Sequence, residues 1–84
     1  MGNISVKIKF VGPIAVKMGT KEQLALINSE REKGIEDINR IIKERAGGQI
    51  LFMILINGSS IYLNYKPLFD QNDEFSVVPI VLGG

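Results

Sequence analysis

Ile35-Glu36-Asp37-Ile38-Asn39-Arg40-Ile41-Ile42-Lys43-Glu44-Arg45-Ala46-Gly47-Gly48 is the stretch on which the fold turns. Ile35, Ile38, Ile41, Ile42 and Ala46 recur at helical spacing and form one apolar stripe. Glu36 and Asp37 are expected in the first turn, Lys43 and Arg45 in the last, so both ends complement the helix dipole. Gly47-Gly48 supplies the stop. A helix with one apolar stripe needs one surface to bury it against, and the flanking sequence supplies strands.

Upstream, Ile4-Ser5-Val6-Lys7-Ile8-Lys9-Phe10 alternates strictly, placing Ile4, Val6, Ile8 and Phe10 toward a core. Gly12-Pro13 breaks this strand, and Ile14–Gly19 reads as a short helical turn ended by Gly19. Glu22–Asn28 reads as a second strand paired to the first. Ser29–Gly34 is charged and reads as a solvated connection. Downstream, Gln49–Asn57 holds Ile50-Leu51-Phe52-Met53-Ile54-Leu55-Ile56, apolar on both faces, ahead of an Asn57-Gly58 turn. Ile61-Tyr62-Leu63 is expected as a short edge strand, and Glu74–Val78 as the last strand. The order β, β, α, β, short β, β gives an α+β protein. Its mixed four- to five-stranded sheet carries one main helix on one face, with the first and last strands side by side in the middle. That is a β-grasp arrangement. Residues 1–80 are expected to form the domain, and 81–84 a flexible tail.

Composition narrows the chemistry. At 84 residues the chain makes one modest core. Ten basic residues against nine acidic leave a net charge of +1, which points to neither nucleic acid nor an anionic membrane as the main partner. There is no cysteine and no histidine. Disulfides and thiolate or imidazole metal sites are excluded, as are Ser–His and Cys–His nucleophile pairs. No metal site and no bound cofactor is expected. No apolar signal core or membrane-length run is present, so the expected location is the cytoplasm.

The ending is Val78-Pro79-Ile80-Val81-Leu82-Gly83-Gly84. Pro79 cannot donate to a β-ladder and suits a strand's end. Two glycines can lie extended in a narrow channel and leave the terminal acyl carbon open to attack.

Three segments resemble the ubiquitin-like sulfur carriers of the MoaD/ThiS group, in particular the MoaD side. They are Phe10-Val11-Gly12-Pro13-Ile14 through Gly19, then Ile54-Leu55-Ile56-Asn57-Gly58, then Asp73-Glu74-Phe75-Ser76-Val77-Val78-Pro79 with Gly83-Gly84. Ile80 stands where many members of that group have a second proline. Archaeal small modifiers and tRNA-thiolation carriers are similar too. The resemblance implies a carrier that is not itself an enzyme. Its Gly84 carboxylate would be adenylated by a ubiquitin-activating-type adenylyltransferase, which uses the ATP. The product would become a thiocarboxylate, and sulfur would pass to the large subunit of molybdopterin synthase or to another acceptor. Alternatively, a lysine amine would attack and give an isopeptide. Pro79, Ile80, Val81, Leu82 and Gly83 would carry Gly84 into the partner's pocket.

A docking surface is expected on the central strand. Its residues split into Ile50, Phe52, Ile54, Ile56 and Leu51, Met53, Leu55. One set faces the helix, leaving Phe52, or Leu51, Met53 and Leu55, as candidates for partner contact. The competing reading is a β-grasp interaction module whose tail is inert.

Overall fold

The structure is a computed structural model that describes residues 2–80. The elements run β1 (Asn3–Phe10), α1 (Pro13–Met18), β2 (Glu22–Asn28), α2 (Arg31–Ala46), β3 (Phe52–Ile56), β4 (Ser59–Ser60) and β5 (Glu74–Pro79). The strands form one sheet in the order β2-β1-β5-β3-β4. β1 is antiparallel to β2 and parallel to β5, and β5 is antiparallel to β3. The first and last strands therefore sit side by side inside a mixed β-grasp sheet.

The core lies between this sheet and α2. Val6, Ile8 and Phe10 of β1, Ala25 and Ile27 of β2, Ile54 and Ile56 of β3, and Phe75 and Val77 of β5 are all buried. They meet Ile38 and Ile42 of α2, which are fully buried. Period two in the strands and period 3.6 in the helix bring these side chains to one layer. Ile14 and Met18 of α1 and Ile61 and Phe69 of the connection before β5 close the ends of the same core. Phe69 and Phe75 meet edge to face, with centroids 5.2 Å apart.

Several expectations need correction. The helix starts at Arg31, four residues before Ile35, so part of the charged stretch 29–34 is its first turn. Its first-turn acid is Glu32, and Asp37 instead accepts the Asn28 N–H at 2.8 Å. Gly34 is helical and buried because the helix crosses the end of β2 there. A Cβ on it would stand 2.6 Å from the Asn28 carbonyl oxygen and 2.9 Å from the Phe69 ring. The edge strand is Ser59–Ser60, not Ile61–Leu63. Asn57 and Gly58 both take positive φ, 50° and 87°, which makes a two-residue hairpin turn between Ile56 and Ser59. That turn ends β3 early and sends Ile61 into the core. Gln49–Leu51 lies outside β3.

Candidate functional site

β5 delivers the chain's last residues. It is an interior strand flanked by β1 and β3, so its position is set from both sides. Its ladder runs out at Pro79, paired with Phe52. The Ile80 N–H then reaches the Leu51 carbonyl at 3.4 Å. Val81, Leu82, Gly83 and Gly84 lie outside the described residues.

The turn into β5 is clamped by charge. Asp73 is 4% exposed. Lys66 Nζ donates to both of its oxygens, at 2.6 and 2.8 Å, and the Asp70 N–H and Asn57 Nδ2 donate at 2.9 and 3.0 Å. Burial alone would raise the Asp73 carboxyl. The Lys66, Asp70 and Asn57 hydrogen bonds outweigh burial and hold it below the ordinary carboxylate range. The Lys66 ammonium is raised, first by its hydrogen bond to Asp73, against a smaller desolvation. In the sequence Asp70-Gln71-Asn72-Asp73-Glu74 reads only as an acidic turn before the last strand. The one available signal was a lysine seven residues before an aspartate that directly precedes the last strand. Among the described residues no cluster of three or more metal-ligating side chains is present.

The sheet's outer face separates the two sets on the central strand. Met53 pairs with Val78 and Leu55 with Ser76 on the side away from α2. Leu51 and Met53 are 59% and 37% exposed, and Leu55 is half-buried. Val11, at the end of β1, is exposed as well, and its N–H donates to the Val77 carbonyl at 3.1 Å. Together these residues make an apolar patch beside the point where β5 ends. Phe52 belongs to the opposite set and packs partly buried against the core with Ile50. It also lines a shallow hollow of about 220 Å³ with Asn39, Met53, Ile54, Tyr62 and Ile80. The segments 12–20 and 61–69 do not cover the outer face, because Ile14, Met18, Ile61 and Phe69 are spent on the helix side. On β1 and at the start of β5 the outer face is polar, with Lys7, Lys9 and Glu74, and Lys9 meets Glu74 at 3.6 Å.

No protein-family model matches the chain, and no curated protein matches it. Solved structures do. The small archaeal modifier protein 1 (SAMP1) of Methanosarcina acetivorans is 21% identical, with TM-score 0.68 and full coverage of both chains. Urm1 of Sulfolobus solfataricus is 22% identical, with TM-score 0.66, covering 88% of this chain and 99% of its own. The Helicobacter pylori complex of subunits 1 and 2 of molybdopterin-converting factor contains a chain 26% identical to this one. Its TM-score is 0.59, and the match covers 96% of this chain and 100% of that one. All three span this chain nearly end to end. The fold is that of the ubiquitin-like β-grasp proteins.

Proposed function

We propose that the chain is a ubiquitin-like sulfur carrier whose Gly84 carboxylate is adenylated and then converted to a thiocarboxylate. The observation behind this reading is the exit of the chain. An interior strand, clamped at its start by Asp73, ends at Pro79 beside an exposed apolar patch, and Val81-Leu82-Gly83-Gly84 follow it in the sequence. The likeness to SAMP1, Urm1 and a subunit of molybdopterin-converting factor supports it.

A terminal carboxylate is ionised at neutral pH and is a poor electrophile. The carboxylate oxygen attacks the α-phosphorus of ATP, pyrophosphate leaves, and Gly84 becomes an acyl-adenylate. Hydrosulfide then adds at the acyl carbon, the carbon–oxygen bond to AMP breaks, AMP leaves, and loss of the sulfur's proton gives the thiocarboxylate. This chain supplies no base or nucleophile to either step, in keeping with the absence of histidine and cysteine. Its own work is placement. Four residues beyond Ile80 can span at most roughly 13–14 Å, at about 3.3–3.6 Å each, a reach that would let them enter a pocket while Leu51, Met53 and Val78 dock outside. The partner is a ubiquitin-activating-type adenylyltransferase, which uses ATP, and the acceptor is the large subunit of molybdopterin synthase. The subunit complex among the similar structures favours that acceptor. A second reading, conjugation to lysines as a protein modifier, is favoured by the likeness to SAMP1 and Urm1.

Intact mass of the protein from its native cells tests both. A terminal oxygen replaced by sulfur supports the carrier, and a lysine-linked adduct supports the modifier. A chain that ends at unmodified Gly84 under all conditions, with no adducts, leaves the interaction module as the better description.

A further inference from the structure

The free edge of β2 is blocked at both ends and open in the middle. β2 forms one edge of the sheet. Phe10 N–H donates to the Lys21 carbonyl at 2.8 Å, and Ser29 N–H to the Gly2 carbonyl at 3.0 Å. Hydrogen-bonded pairs alternate along an antiparallel ladder, so Gln23, Ala25 and Ile27 also point their amide groups at β1. Glu22, Leu24, Leu26 and Asn28 point theirs outward. Glu22 is already satisfied: the Thr20 hydroxyl donates to its carbonyl at 2.8 Å and accepts its N–H at 3.4 Å. At the other end the Asn28 N–H is held by Asp37, and α2 covers the Asn28 carbonyl at Gly34. Along the outer edge of β2 only Leu24 and Leu26 keep amide groups with no partner among the described residues, two N–H and two C=O. Their side chains are 72% and 65% exposed on the outer face.

We infer that this gap is a pairing site for a second copy of the same chain. The gap is its own complement. Two β2 strands placed antiparallel about Ala25 set Leu24 of one copy opposite Leu26 of the other. All four open groups on each copy are then used, in four bonds. Pairs of this kind are the narrow, mutually bonded ones of an antiparallel ladder. The four leucines cluster on the outer face as cross-strand neighbours. Beyond them Glu22 meets Asn28, so no like charges oppose each other, and pairing stops by itself because the groups there are taken. Ala25, small and buried, lies at the two-fold axis. Five strands from each copy join into a sheet of ten. β1 separates this edge from β5, so both Pro79 exits stay clear. The short β4 edge, two residues long, offers no such template.

The test is amide hydrogen exchange and sedimentation on the full chain, in dilute solution and at about a hundredfold higher concentration, since pairing follows mass action. The concentrated sample should sediment as a dimer. Leu24 and Leu26 amides should exchange on the order of tenfold slower there, with Glu22 and Asn28 unchanged. Leu24→Pro removes an outward N–H without touching the bonds to β1, and should abolish the dimer. Leu26→Lys, which leaves the backbone intact, should do the same. A monomer at both concentrations with equal exchange overturns the inference, as does a dimer that survives both variants. Slowed exchange at Leu24 and Leu26 in a monomeric sample places some other segment on the edge and overturns it too.

Discussion

Gly34 shows how a single side chain can be forbidden by one contact. A Cβ there would meet the Asn28 carbonyl oxygen at 2.6 Å, and that oxygen belongs to a paired strand that cannot move aside cheaply. The Phe69 ring at 2.9 Å is itself buried. Gly34→Ala should therefore destabilise the fold by about 1–3 kcal/mol, the usual cost of overpacking. For a domain this small, that is about 4–8 °C in Tm per kcal/mol. Gly48→Ala, with open space around the added Cβ, is the control and should melt like the parent. Asp73 is the other residue with a measurable signature. Its carboxyl is lowered in the folded protein, so its contribution is present above the ordinary carboxylate pKa of about 4 and is lost as pH falls through the folded value. Thermal melts taken from neutral pH down to strong acid should show stability falling in that window. Asp73→Asn should lower stability near neutrality and flatten the acid limb. An acid limb of the same steepness in the variant would assign the effect to other carboxylates.

Strand β3 carries the element-scale prediction. Its two apolar sets are indistinguishable as sequence, and only the register with Phe75 and Val77 sends Ile54 and Ile56 inward and Met53 outward. Met53→Glu should leave the stability within about 0.5 kcal/mol of the parent, as surface changes usually do. It should weaken capture by the activating enzyme tenfold or more, on the order of 1.4 kcal/mol or beyond. Titration calorimetry with that enzyme reads it, and unchanged affinity would remove the outer face from the docking surface. The same strand marks what was legible beforehand. β1 was, because one of its faces is polar and period two is then visible. β2 was legible as a strand without any visible alternation, since Leu24-Ala25-Leu26-Ile27 is apolar on both faces. The start of α2 was not. Arg31 is fixed there by carbonyls about thirty residues away, at Ile61 and Asn64, and by stacking on Tyr65, 5.2 Å from the ring centroid. Gly34, a helix breaker by composition, is demanded by contact with Phe69. Such causes are tertiary and leave no local periodicity. The place where β5 ends was readable to within one residue from Pro79, which cannot donate to a ladder. The Asp73–Lys66 clamp behind it was not, because an acidic turn and a stray lysine look alike whether or not they meet.

At the scale of the whole molecule, the proposed function makes the body a holder. The interior strand β5 is braced on both sides, its entry is clamped by Lys66 and Asp73, and its far end meets an apolar patch. If the tail does the chemistry, stability and activation should come apart. Deleting Gly83 and Gly84 removes no side chain, only two glycines at a chain end, so Tm should hardly move. Adenylation should nevertheless be lost, because the shortened chain ends at Leu82 and cannot set a carboxylate at the nucleotide. Adding one residue after Gly84 should have the same effect by moving the reacting carbon out of register, where misplacement on the order of 1 Å can cost ~100-fold. Gly83→Val should fall between these and the parent, since a β-branched side chain both widens the tail and restricts its backbone. ATP–pyrophosphate exchange with the cognate activating enzyme measures the first step, and intact mass measures the thiocarboxylate that follows. Equal exchange rates for the parent and the glycine-deleted chain would mean that the last residues are inert. The patch around Leu51 and Met53 would then be the working surface of a binding module, and the Met53→Glu titration would keep its meaning with a different partner.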